Sequence, residues 1–283
     1  MVDSVKILRR SDCFMNSSIA SQPAPWEPDA FQACLDRAER LLLMLDYDGT
    51  LAPFVADRNQ AWPFPGVLPR LKALQGRDVC RLVIVTGRTV ADMPRLLALD
   101  PLPEIWGCHG WERRLTDGRL LHPPLPDAWS SALNQAARID FGLPPDRVER
   151  KPFTVAVHWR GLDESLVRRS EPLVRDRFED IAAAAGLELH AFDGGIELRC
   201  PGRTKGTAVA DLLTEEDGAL ALYLGDDLTD EDAFAALGDR GIGLLVRQQV
   251  RPSQARWWLR PPEQLLGCLD LLVEWCHGRE ARA

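Results

Sequence analysis

Five apolar residues, Leu41–Leu45, run directly into Asp46-Tyr47-Asp48-Gly49-Thr50. A short apolar run without polar alternation reads as a strand covered on both faces, which is the habit of a parallel sheet flanked by helices. In such a sheet the carboxyl ends of the strands open onto the binding crevice, so Asp46 and Asp48 are expected at its rim. The same junction recurs twice. Residues 80–85 (CRLVIV) lead into Thr86-Gly87-Arg88, and the apolar run 219–224 leads into Gly225-Asp226-Asp227 with Asp230 close behind. Three buried strands, each ending in a polar loop, point to an α/β fold.

Helical patterns at 30–40, 66–74, 88–99, 205–213, 230–237 and 264–276, with further strands at 102–108 and 242–246, continue that texture. It changes between 112 and 200. There 112–122 reads as a hairpin turning at Asp117-Gly118, 128–141 as a helix, 148–160 as one strand, and 164–185 as a long helix. Strands at 187–191 and 196–200 flank Asp193-Gly194-Gly195. The pattern predicts an α+β domain, 112–200, inserted into a core made of 30–111 and 201–283, behind a loosely ordered leader, 1–29.

The chain has 283 residues, 34 Lys+Arg against 42 Asp+Glu, and a net charge of -8. An acidic protein lacks the basic footprint of a general nucleic-acid binder, while small anionic substrates stay open. The longest apolar runs fall far short of the roughly 20 residues of a membrane span, and the first twenty residues contain no apolar signal region. Seven cysteines in an odd set without Cys-x-x-Cys spacing fit reduced thiols. The expected setting is cytoplasmic, with neither membrane nor nucleic acid as partner; the oligomeric state is left open.

The acidic loops carry the chemistry. Asp46 and Asp48, at i and i+2 beyond a buried strand, suit a pair in which one carboxylate attacks phosphorus while the other protonates the leaving alcohol and then activates water. Gly49 lets the loop curl, and Thr50 with neighbouring backbone N–H groups can take phosphate oxygens. The plainer alternative is a solvated Asp-Gly turn. Asp226, Asp227 and Asp230 converge at a cost unless a cation relieves them, and Mg2+ is the economical choice. Their alternative is simple acidity at a helix start. Thr86 offers a hydroxyl beside Gly87, and Arg88 either reaches substrate or pairs structurally. Lys205, opening a helix in CPGRTKGTAV, is either solvated or the point charge that balances Asp46 and a transferring phosphate.

Taken together, Asp46-Tyr47-Asp48-Gly49-Thr50, Thr86-Gly87-Arg88, Lys205 and Gly225-Asp226-Asp227-x-x-Asp230 resemble the four motifs of haloacid dehalogenase phosphatases. Within that superfamily, DYDGTLAP, GCHGWERR, KPFTVAVHWR, LRCPGRTKGTAV and YLGDDLTDEDAF resemble trehalose-6-phosphate phosphatases over about residues 40–275. The resemblance implies a Rossmann-like core, an inserted mobile cap, and Mg2+-dependent hydrolysis of a small sugar phosphate, trehalose 6-phosphate, to trehalose and inorganic phosphate through an aspartyl phosphate. It implies Asp46 as nucleophile and metal ligand, Asp48 as acid/base lending its backbone carbonyl to the metal, and Asp226 as a further ligand supported by Asp227 and Asp230. Thr86 and Lys205 would hold the phosphoryl group, with Gly49, Thr50, Gly87 and Arg88 around it. Sugar-reading positions correspond to Glu112, Lys151, Arg160 and Glu197, with His109, Gly110 and His158 nearby.

The chain departs from the family pattern at four points. Thr86 stands where serine is usual, VHWR replaces VHYR at Trp159, SQARWWL over Ser253–Leu259 only approximates a pattern of threonine, alanine and tyrosine before leucine, and Arg247 stands where glycine is common. Two competing functions share these residues: a phosphatase of another glycosyl phosphate, such as glucosylglycerol phosphate, and a non-catalytic sugar-phosphate binder. An intact Asp46, Asp48, Lys205 and Asp226 set disfavours the binder, which needs no nucleophile.

Overall fold

The computed structural model describes residues 21–55, 57–192 and 194–281. Most of the expected leader, Cys13 and Asp193 lie outside them. In chain order the elements are β1 (Ala24–Pro25), α1 (Pro28–Leu35), β2 (Leu41–Leu45), α2 (Val67–Leu74), β3 (Cys80–Val85), α3 (Met93–Leu97) and β4 (Glu104–Gly107). Then come β5 (Glu112–Arg114), β6 (Leu120–Leu121), α4 (Asp127–Ala136), β7 (Val148–Lys151), β8 (Thr154–His158), α5 (Glu164–Ala185), β9 (Glu188–Phe192) and β10 (Gly195–Arg199). The chain closes with α6 (Lys205–Glu215), β11 (Leu220–Gly225), α7 (Glu231–Leu237), β12 (Gly241–Val246), β13 (Trp257–Leu259) and α8 (Glu263–Glu280).

Nine strands form one sheet in the order β1-β13-β12-β11-β2-β3-β4-β5-β6. The first seven are parallel and the last two antiparallel. Strand β2 is central, and its alternation explains why it carries no polar residue. Leu41, Leu43 and Leu45 join a core with residues of α1, α2, α3 and α8, while Leu42 and Met44 join a second core with residues of α6 and α7. Both faces are covered, so a polar side chain at any of the five positions would be buried without a partner.

Residues 127–199 build a separate antiparallel sheet, β7-β8-β10-β9, over α4 and α5. Its core centres on Val155, Val157, Phe178 and Leu198, and extends to Trp111, which stacks on Phe153 with ring centroids 4.8 Å apart. The α/β core with an α+β insertion is therefore present.

Three expectations differ in detail. The 112–122 hairpin, expected to open the insert, extends the large sheet as β5 and β6, because a hairpin pattern does not name the edge it joins. The single strand expected at 148–160 is two strands folded at Pro152-Phe153, since proline cannot continue the ladder. Within the expected leader, β1 pairs with β13 and Trp26 is buried beside Phe31. The six described cysteines are buried and form no disulfide with one another, and no helix among the described residues is long and apolar enough to cross a membrane.

Candidate active site

Strands β11, β2 and β3 are neighbours, so their parallel ends deliver Asp226, Asp46 and Thr86 to one edge. The Asp46 N–H donates to the Leu224 carbonyl at 2.9 Å, which locks the first loop to the end of β11. Lys205 arrives from the first turn of α6, capped by Thr204, whose hydroxyl accepts from the Gly206 and Thr207 N–H groups. Its ammonium donates to Asp46 Oδ1 at 2.7 Å and Asp230 Oδ1 at 2.8 Å, with the side chain 4% exposed.

One carboxylate oxygen each from Asp46, Asp226 and Asp230 lies within 4.8 Å of the others, and all three residues are buried. Their surroundings differ. Asp230 Oδ2 accepts the N–H groups of Asp226 and Asp227 at 3.0 and 2.9 Å, while Oδ1 accepts from Lys205 and from the Tyr223 hydroxyl at 2.6 Å. That carboxylate is saturated and organises the loop. Asp226 receives only a long contact from the Thr50 hydroxyl, 3.4 Å to Oδ1, and the same hydroxyl lies 3.2 Å from Asp46 Oδ2.

Burial pushes the Asp46 carboxyl up to about 7, against the pull of Lys205 and with a further push from Asp230. Asp226 is driven well above the usual carboxylate range by burial, then by Asp46 and Asp230. Burial works against the Lys205 charge, but Asp230 and Asp46 outweigh it and raise its pKa. One ammonium among three buried carboxylates leaves an excess of hard anionic oxygen. Asp46 and Asp226 are thus the donors that fit a hard divalent cation, with Asp230 behind them.

Gly49 makes the close approach possible. Its φ is 85°, and a Cβ there would fall 2.2 Å from Asp226 Oδ2. Gly49→Ala is expected to cost about 2 kcal/mol, from left-handed strain and overpacking, and to lower turnover by displacing Asp226. Thermal melts with steady-state kinetics check this; an unchanged melting temperature would contradict it.

Asp48 is turned to Arg88, whose Nε and Nη2 donate to its two oxygens at 2.7 and 2.6 Å. Pairing is one of the two roles open to Arg88 and is the one seen in this structure, and the guanidinium also lies 5.5 Å from the Tyr47 ring centroid. The Thr86 hydroxyl accepts the Arg88 N–H at 3.1 Å, leaving its own proton to donate. Asp227 Oδ1 accepts the Leu228 N–H at 2.7 Å, so this carboxylate caps the following turn.

The sugar-reading candidates divide into groups. Lys151 donates to the Gly87 carbonyl at 3.2 Å, and burial lowers its pKa. His109 packs against Gly87, where a Cβ would meet the ring at 2.6 Å; its Nε2 lies 3.7 Å from Glu197 Oε2 and its buried Nδ1 has no hydrogen-bond partner. Burial and nearby Lys205 and Lys151 hold that imidazole neutral. His109 and Cys108 both have positive φ, 57° and 49°, a strain of the sort found at working sites. Gly110, φ 100°, follows against the Thr204 carbonyl.

Glu112 Oε2 accepts the Val90 N–H at 2.7 Å. His158 contacts Glu149 Oε2 at 3.0 Å, the same oxygen that lies 3.6 Å from the Lys151 ammonium. Arg160 lies over Phe54. The sequence reasoning missed Tyr223, the lone polar group of β11, and the basic pair after β12. Arg247 donates to the Asp226 carbonyl at 3.0 Å, and Arg251 to the Asp227 carbonyl at 2.7 Å. A tyrosine inside an aliphatic strand was the available signal for the first.

Comparison with known proteins agrees with this geometry. The trehalose-phosphatase family matches residues 44–262. A trehalose-phosphate phosphatase of Mycobacterium tuberculosis is 36% identical over 90% of this chain and 68% of its own length. Among solved structures, the C-terminal domain of the Candida albicans trehalose-6-phosphate phosphatase superposes with a TM-score of 0.78 at 24% identity, over 91% of this chain and 99% of that one. A phosphatase of the haloalkanoate (HAD) superfamily from Bacteroides thetaiotaomicron shares the fold, with a TM-score of 0.54 at 18% identity over 83% of this chain and 95% of that one. With Asp46, Lys205 and the acidic loop gathered at one sheet edge and the family matched across most of its length, the chain belongs to the trehalose-phosphatase family and is a phosphatase.

Proposed function

We propose that this protein hydrolyses trehalose 6-phosphate to trehalose and inorganic phosphate in the cytoplasm, with Mg2+ bound by Asp46 and Asp226 and by the Asp48 backbone carbonyl. The observation that carries the reading is Asp46 itself: a buried carboxylate at the crevice edge, oriented by Lys205 at 2.7 Å from Oδ1 and by the Thr50 hydroxyl 3.2 Å from Oδ2. Asp46 attacks phosphorus and forms an aspartyl phosphate as the sugar oxygen leaves. Asp48, released from Arg88, gives that oxygen a proton and later takes one from the water that cleaves the acyl phosphate. Lys205 balances charge on the phosphoryl oxygens, and Thr86 and Thr50 donate hydrogen bonds to them. When bound, Mg2+ supplies charge neutralisation and orientation of the phosphoryl group.

Residues 123–200 act as the cap. Lys151, Glu197, His109, Arg160 and Glu112 line its approach to the core, a set of charged and polar groups suited to the hydroxyls of a disaccharide. His158, paired with Glu149, supports that wall.

Phosphate release from a panel of sugar phosphates tests the reading. Turnover is expected to be fastest on trehalose 6-phosphate, lost in chelator and restored by Mg2+, and Mg2+ alone should raise the melting temperature of the stripped protein by binding the folded acidic cluster. Rapid turnover of glucosylglycerol phosphate with none of trehalose 6-phosphate would overturn the substrate and keep the mechanism.

A further inference from the structure

Beyond the catalytic loop the chain runs through Pro53 to Phe54, whose side chain is 53% exposed although it is large, aromatic and six residues past Asp48. One face of the ring carries the guanidinium of Arg160, 5.1 Å from the centroid. Arg160 stands two residues beyond β8, on the inserted sheet. Its other side is bounded by the β9–β10 turn, where a Cβ on Gly194 would fall 2.9 Å from Arg160 Cβ and 3.2 Å from Nε. At that position only a residue without a side chain leaves the space, so Arg160 sits between Gly194 of the insert and an aromatic face of the core.

A second contact reinforces the first. Arg58, four residues after Phe54, pairs with Glu149 on β7 and lies 3.3 Å from Asp92 of the core. Glu149 in turn holds His158 at 3.0 Å and lies 3.6 Å from Lys151. One short segment leaving the catalytic loop therefore touches the insert twice, once by an ion pair and once by an arene face.

A long arginine side chain has many rotamers, and the planar, weakly hydrated guanidinium is the cation that an aromatic ring holds best. We infer that Phe54 is a positioning residue for sugar recognition: it seats the Arg160 guanidinium toward the cleft, and affinity for the sugar portion of the substrate depends on it while phosphoryl transfer does not. The inference rests on Arg160 facing the sugar in the function proposed above. Phe54 is too exposed to serve as core, so its truncation opens no cavity and the fold tolerates it.

The test is steady-state kinetics of the wild type, Phe54→Ala, Phe54→Leu and Phe54→Trp with Mg2+, on trehalose 6-phosphate and on p-nitrophenyl phosphate, which has no sugar. Phe54→Ala and Phe54→Leu are expected to raise KM for trehalose 6-phosphate about fivefold, with kcat nearly unchanged, and Phe54→Trp to retain wild-type KM. All three should hydrolyse p-nitrophenyl phosphate as the wild type does, and Phe54→Ala should add nothing in an Arg160→Ala background. Equal losses on both substrates, a wild-type KM in Phe54→Ala, or Phe54→Leu matching Phe54→Trp would each overturn the inference. A wild type that hydrolyses p-nitrophenyl phosphate but not trehalose 6-phosphate overturns the substrate reading itself and takes this inference with it.

Discussion

Asp46→Asn is expected to lower phosphate release by about 10^4-fold or more, roughly 5 kcal/mol on the barrier, while the protein stays folded. The amide fills the same space at the end of β2 and can still accept from Lys205, but its oxygen is not a nucleophile toward phosphorus. No neighbour takes over. Asp230 is saturated by four donors, and Asp226 is the cation ligand in the proposed function. Stability should hold or rise in chelator, because one of three converging buried carboxylates has lost its charge. Acid-quenched single turnovers separate chemistry from binding: the wild type should trap phosphate covalently and the variant should not. Release within tenfold of wild type would remove Asp46 from the mechanism.

The parts of this site that were legible in the sequence are those fixed by strand ends. An apolar run that stops at an aspartate says both that the strand is buried and that the carboxylate lies at a crevice, so Asp46, Thr86 and Asp226 could be placed at one edge without coordinates. Lys205 was legible by its helix start. What stayed hidden depends on side-chain direction across long separations. Arg88 lies forty residues from Asp48, and periodicity cannot say whether a guanidinium turns to a ligand or to that carboxylate. The contacts of Phe54 and Arg58 with the insert are hidden for the same reason. Short strands are faint too: β13 has three residues and β1 two, and both are held by pairing at the sheet edge rather than by a pattern of their own. Pro152 did mark the fold between β7 and β8, and the alternation on either side masked it.

Lys205→Ala should cost about 3 kcal/mol of stability in chelator, near 6–10 °C in melting temperature, and reduce turnover about 10^3-fold. Among the described residues its ammonium is the one cation bonded to both Asp46 and Asp230, and alanine leaves those carboxylates facing Asp226 without it. The pH dependence separates this electrostatic cause from simple loss of packing. Asp46 already sits at about 7 in the folded protein, above its ordinary 3.8, so between those values the folded chain holds a proton that the unfolded chain has released. A group raised in this way makes stability fall as pH rises through the window. Without Lys205 the upward push of burial, Asp230 and Asp48 on Asp46 loses its counterweight, and the window extends to higher pH. The stability deficit of the variant against wild type should therefore be large at pH 8 and shrink toward pH 5, as protons take the place of the missing ammonium. Melting curves of the metal-free proteins across that range decide the point: a deficit independent of pH would mean that Lys205 acts through its packed stem at the start of α6, and not through its charge.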